Sequence, residues 1–276
     1  MGAAVSGDDA VDAHVHLWDL GRVELSWFRP DLGLPRVASG RDLAGAADAA
    51  RTPLGPVGAV VAVQAADTPE EARWLIGLSD PLLAGVVLQY APGDPAGAAQ
   101  GAVGARVRGV RVAVPGRRAD LTDVPGLDAL CEQVAAAGGV VEFLVRSEQL
   151  PAVAAVAARH PSTSIVVCHL GLGGAAPDAA WEAGLRAVAA HPAVAAKASG
   201  LVAAEDPGDA RLRRALAVAV DALGAHRLLF GSDWPLSARI APYGEVVART
   251  AAALPSLGAA GDSAFWGGTA RALYRL

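Results

Sequence analysis

Three short motifs place ionisable side chains against apolar runs. "DAHVHLW" carries Asp12, His14 and His16 at every second position, "SIVVCHLG" ends an apolar run in His169, and "RLLFGSDWP" ends one in Asp233. Alternate residues of an extended chain point to one side, so Asp12, His14 and His16 are expected to share a face. Two imidazoles one pleat apart can bind a divalent metal together or hold an oxyanion between them. The plainer readings are a surface histidine pair, a structural His169, and an Asp233 that caps a helix.

Lys197, in "VAAKASGL", is the only lysine among 23 lysine and arginine residues. Lysine is a compact point charge and arginine a planar fork, so the two do not substitute for one another in a tight site. With period-two alternation Lys197 shares a face with Ala195 and Ser199. It could meet a substrate carboxylate or hydroxyl, pair with Asp233, or snorkel to solvent.

Eight β-branched runs recur along the chain, at 10–17, 59–66, 83–90, 106–114, 139–146, 164–171, 193–201 and 227–234. They are apolar on both faces, which suits a parallel sheet covered by helices. Helices are expected between them at about 69–79, 124–137, 148–159, 178–190, 208–223 and 243–253. Thr68 followed by Pro69 and two glutamates makes a good start for the first. Eight strand–helix repeats are the count of a (β/α)8 TIM barrel, whose sites lie at the carboxyl ends of the strands. There runs one, six and eight present His14, His16, His169 and Asp233. A doubly wound sheet is the alternative, but no GxGxxG follows the first strand. The 276 residues read as one domain with a long loop insertion at about 18–58, rich in proline and tryptophan.

Composition excludes several classes. The net charge of -5 without a basic cluster gives no footprint for nucleic acid. No long uncharged apolar stretch suggests a membrane span, and the N-terminus does not read as a secretory signal. Cys131 and Cys168 form neither a disulfide framework nor a CxxC motif, and read as reduced thiols of a cytoplasmic protein. The sequence leaves a homo-oligomer open.

Taken in order, "DAHVHLW", "VVAVQAADTPEEARWL", "GVRVAV", "LVRSEQLPAVAAVAARHP", "VVCHLG", "AAKASGL", "LLFGSDWP" and "FWGGTARALYRL" resemble the amidohydrolase-related family of the amidohydrolase superfamily. The likeness is to its branch of sugar lactonases and 2-pyrone-4,6-dicarboxylate lactonase, and it spans essentially the whole chain. The resemblance implies an amidohydrolase-like barrel that hydrolyses a cyclic ester. It makes Asp233 the general base toward water, and has His14, His16 and His169 polarise the carbonyl, directly or through one divalent metal such as zinc or manganese. Two-metal members also use a lysine or glutamate after strand four and a histidine after strand five. Here those strands offer Arg111 and then Glu142, Leu144 and Arg146, so two metals are not expected. Lys197, Arg111, Gln64 and Trp27 are the expected substrate contacts, with Trp18 and Phe28 also in the first loop.

Few cations face the expected site, which tilts the substrate toward a neutral sugar lactone rather than a dicarboxylate. Neutral imidazoles are required, so activity is expected to fall below about pH 6. A metal-dependent decarboxylase of an aromatic acid and a catalytically silent ligand-binding barrel are the rival readings.

Overall fold

The computed structural model describes residues 9–91 and 106–276. Residues 1–8, the start of the stretch read above for a leader, lie outside them. Eight parallel strands follow one another in chain order: β1 (Ala10–Val15), β2 (Val57–Val63), β3 (Leu83–Gln89), β4 (Val107–Ala113), β5 (Val140–Leu144), β6 (Ser164–Val167), β7 (Val194–Ala198) and β8 (Leu228–Phe230). Just beyond β8 the chain bonds back to β1. Asp233 N–H donates to His14 O at 2.9 Å, His16 N–H donates to Trp234 O at 2.7 Å, and Val15 bridges Trp234 in parallel. These bonds close the barrel at its carboxyl rim.

The helices among the described residues are α1 (Gly40–Ala47), α2 (Pro69–Gly77), α3 (Leu127–Ala136), α4 (Leu150–Arg159), α5 (Ala179–Ala189), α6 (Ala210–Leu223), α7 (Tyr243–Ala253), α8 (Gly258–Ser263) and α9 (Thr269–Tyr274). Thr68 caps α2 as its sequence predicts, accepting a hydrogen bond from Glu71 N–H. Glu71 in turn accepts from Ala65 and Ala66 N–H at 2.7 and 2.8 Å, which pins the turn after β2. None of these helices is long and apolar enough to cross a membrane.

The barrel interior is lined by small side chains: Val11, Ala13, Ala59, Val61, Val87, Val140, Val166 and Ala195 form a buried cluster of their own. Ala270 and Tyr274 of α9 join it, so the C-terminal helix packs against the barrel interior. The narrow residues leave room inside for two large ones, and both Lys197 and Tyr274 are fully buried there.

The 18–58 segment is more ordered than its composition suggests. Trp18–Asp19 pairs antiparallel with Val37–Ala38, and α1 follows with a capping box between Ser39 and Asp42. Trp27 Nε1 donates to Ala65 O at 2.9 Å, tying the segment to the turn after β2.

Candidate active site

β1 departs from the expected alternation. Asp12 pairs with Val60 but Val15 pairs with Ala62, so β1 carries one extra residue over this stretch. Such a bulge shifts the parity of every side chain beyond it. Asp12 therefore points outward, where its carboxylate accepts from His14 N–H, Ser232 N–H and the Tyr243 hydroxyl of α7. It does not share a face with the two histidines. His14 and His16 point inward with their rings 5.1 Å apart, and His169 meets the His14 ring at 4.7 Å.

Strained backbone aims the other members. His169 and Leu170 have φ of 52° and 53°, and Asp233 has 61°. Left-handed conformations are uncommon for residues with a Cβ and cost on the order of 1 kcal/mol or more each. Beside them, Gly200 sits at φ 61°, and a Cβ there would lie 2.9 Å from His169 Nδ1 and 3.1 Å from Asp233 Oδ2.

The hydrogen bonds fix which nitrogen faces the centre. His16 Nδ1 is 2.7 Å from Val63 O, and His169 Nδ1 is 2.9 Å from Ser199 O. A carbonyl only accepts, so both rings carry their proton on Nδ1 and present the Nε2 lone pair. His14 Nε2 and His16 Nε2 each lie 3.6 Å from Asp233 Oδ1. Among the described residues neither His14 nitrogen has a hydrogen-bond partner, and nor has Asp233 Oδ1. Lone pairs buried face to face are unfavourable unless a cation lies between them.

Ligand atoms of His14, His16 and Asp233 fall within 4.8 Å of one another. Two ligands of one small cation stand roughly 3–4 Å apart, so the three fit a single divalent ion. Histidine ligands that give their other N–H to a backbone carbonyl are the usual arrangement in such centres. His169 flanks the three, held through Nδ1 by Ser199.

The charges agree with this geometry. Burial, then the Lys197 ammonium, His169, His16 and Arg111, hold His14 well below the ordinary histidine value of 6.5. Burial likewise lowers His169. Burial works to raise Asp233, but His169, His16 and Arg111 outweigh it and leave the carboxyl below its usual range.

Two of the expected substrate contacts are engaged by protein groups. Lys197 is wholly buried, and its ammonium donates to both oxygens of Glu142 at 2.7 and 2.8 Å rather than pairing with Asp233 or snorkelling. Gln64 uses both ends of its amide on backbone, donating to Thr68 O and accepting from Gln89 N–H. The Arg111 charge is felt at His14, His169 and Asp233. The guanidinium donates through Nε to Gln89 Oε1 and through Nη2 to Gln64 O. Trp27 remains partly exposed. Sequence reasoning missed the partners Glu142, Tyr243 and Tyr274. Glu142 alone carried a signal, as a carboxylate inside an apolar strand.

Cavities of about 160 and 230 Å³ open on either side of Gly200–Val202, the first reaching Asp233 and the second His169. Leu201, Val202 and Ile240 line both.

A family model described as amidohydrolase matches residues 11–276. The chain belongs to the amidohydrolase family. It is 32% identical to an L-fucono-1,5-lactonase of Burkholderia multivorans over 294 aligned positions, covering 96% of each chain. A crystal structure of an amidohydrolase from Burkholderia multivorans with bound zinc superposes at a TM-score of 0.81, with 31% identity over 97% of this chain and 99% of that one. A candidate 2-pyrone-4,6-dicarboxylic acid hydrolase from Pseudomonas putida, 23% identical, shares the fold at a TM-score of 0.73 over 97% and 98% of the two chains.

Proposed function

We propose that this amidohydrolase opens a small lactone, of the aldonolactone kind, by attack of water on the ring ester. The observation that carries the reading is the convergence of ligand atoms of His14, His16 and Asp233, those of His14 and Asp233 Oδ1 without a partner among the described residues, beside two small cavities. The lactonase relative and the zinc-bound amidohydrolase structure support it.

His14, His16 and Asp233 would hold one divalent ion, zinc or manganese, with His169 beside them. Such an ion polarises a carbonyl and lowers the pKa of bound water to about 7. The alternative, in which the imidazoles stabilise the oxyanion directly, is disfavoured by their tautomers: His16 and His169 present lone pairs, not N–H donors, to the centre.

Asp233 has a carboxylate oxygen free for a proton and is ionised at neutral pH. It takes one proton from the attacking water as oxygen bonds to the carbonyl carbon. When the ring C–O bond breaks, Asp233 returns that proton to the departing alkoxide, and the product is the open hydroxy acid. Arg111, whose Nη1 has no protein partner among the described residues, would meet a substrate oxygen, and Trp27, partly exposed, would cover the ring. Glu142 claims Lys197, while Arg239 and Arg211 line the two cavities beside Asp233 and His169; the choice of a neutral sugar lactone over a dicarboxylate rests on the likeness to the fuconolactonase.

A pH-indicator assay of aldonolactones and pyrone carboxylates, with and without added zinc or manganese, tests the reading. Aldonolactone opening that a chelator abolishes and the metal restores is the expected result. Carbon dioxide release from aromatic acids without lactone opening, or no turnover of either, would overturn it.

A further inference from the structure

Deeper in the barrel lies a second set of metal-type donors. His14, Glu142 and Cys168 bring a nitrogen, a carboxylate oxygen and a sulfur within 4.8 Å of one another, all three residues fully buried. His14 belongs to this set and to the upper one. Its Nε2 lies toward Asp233, and its Nδ1 is without a hydrogen-bond partner among the described residues. Cys168 Sγ lies 3.3 Å from Glu142 Oε2.

The carboxylate at the centre of this set already has a cation. Lys197 Nζ lies almost equidistant from both Glu142 oxygens, and 5.4 Å from the centre of the Tyr274 ring. We infer that the Lys197 ammonium is a built-in cation that occupies a latent second metal site, formed by His14, Glu142 and Cys168, and so limits the barrel to one exchangeable ion. This deepens the one-ion reading above and rests on it for the upper site only.

The choice of residue follows from the geometry. A point charge can sit between two carboxylate oxygens inside a closed strand ring, where a planar guanidinium would need room for five N–H donors. That accounts for the single lysine in a chain whose other permanent cations are arginine. Glu142 is also left ionised without a metal: burial works to raise it, but Lys197 and the Tyr274 and Cys168 hydrogen bonds outweigh burial and lower it.

Sulfur makes the test specific, because only the lower set contains a thiol. Chelated wild type and Lys197→Ala are loaded with cobalt(II), bound cobalt is counted by elemental analysis, and near-ultraviolet absorption is recorded. The wild type is expected to bind one ion and show no thiolate-to-cobalt charge-transfer band. Lys197→Ala is expected to bind one ion more, with the His14 ring bridging the two sites as imidazolate and its ring proton and the Cys168 thiol proton released to solvent, and to show the band; Lys197→Ala with Cys168→Ser is expected to lose it. Lys197→Ser, whose hydroxyl can keep a water beside Glu142, is the second variant should alanine prevent folding. A folded variant of either kind with an unchanged cobalt count and no band would overturn the inference, as would the band in wild type. A wild type that binds no ion would end the one-ion reading, yet the band in the variants would still report the lower site.

Discussion

At the scale of single residues, the site is defined by atoms lacking what burial normally demands. Asp233 Oδ1 and both nitrogens of His14 have no hydrogen bond among the described residues. Replacing Asp233 by Asn removes the base and should lower kcat on an aldonolactone by about 10²–10⁴-fold, the range for general base catalysis, while melting behaviour changes little. Steady-state kinetics beside a thermal scan check this.

The buried histidines also set a pH dependence. His14 is held well below 6.5, so under mildly acidic conditions the unfolded chain binds a proton that the folded chain does not. The stability this contributes is fully present above about pH 6.5 and is lost as pH falls toward the depressed folded value. The melting temperature of chelated protein should therefore drop between pH 7 and 5.5, and less steeply in His14→Gln. A flat profile in wild type would contradict the assignment. For the same reason the acid limb of activity should lie below the value near 6 that an unperturbed histidine suggests.

At the scale of elements, the strand runs and the helix starts were legible because they rest on local rules: apolar runs of strand length, and Thr68 with Pro69 before α2. Less legible was anything set by the neighbouring strand. The extra residue in β1 appears only in its register with β2, so sequence alternation put Asp12 on the wrong side. α1 was hidden by its glycines and alanines, although its Ser39–Asp42 box stood in the sequence. Lys197 was legible as a buried cation, but its partner lies 55 residues away, and nothing local joins it to Glu142.

The loop after β7 depends on Gly200, which combines a left-handed φ with close approach to His169 and Asp233. Gly200→Ala should strain the backbone and push both side chains out of register. A loss of zinc affinity of about 10–100-fold is expected, as for other changes to groups supporting a metal centre, and competition with a chromogenic chelator would measure it.

At the scale of the whole molecule, the barrel supports its site from below through contacts distant in sequence. Tyr274, near the C-terminus, donates its hydroxyl to Glu142 Oε1 at 2.5 Å and packs with Val11, Ala59 and Val140 from across the strand ring. Glu142 thus joins α9, β5 and β7 in one buried network, and removing either member of its ion pair should cost about 3–5 kcal/mol by leaving the other charge unpaired. Tyr274 separates packing from polarity in that network. Tyr274→Phe keeps the ring and loses one hydrogen bond to a charged group, so it should cost about 1.5–3 kcal/mol. Tyr274→Ala also opens a cavity and should cost more, in the range of about 3–5 kcal/mol or above. Denaturant unfolding of the two variants gives the comparison, and lactone turnover of the folded Phe variant should stay close to wild type, because the Tyr274 hydroxyl bonds Glu142 and not His14, His16, His169 or Asp233. If Phe and Ala were equally destabilising, the hydroxyl rather than the ring would be what joins the C-terminal helix to the barrel.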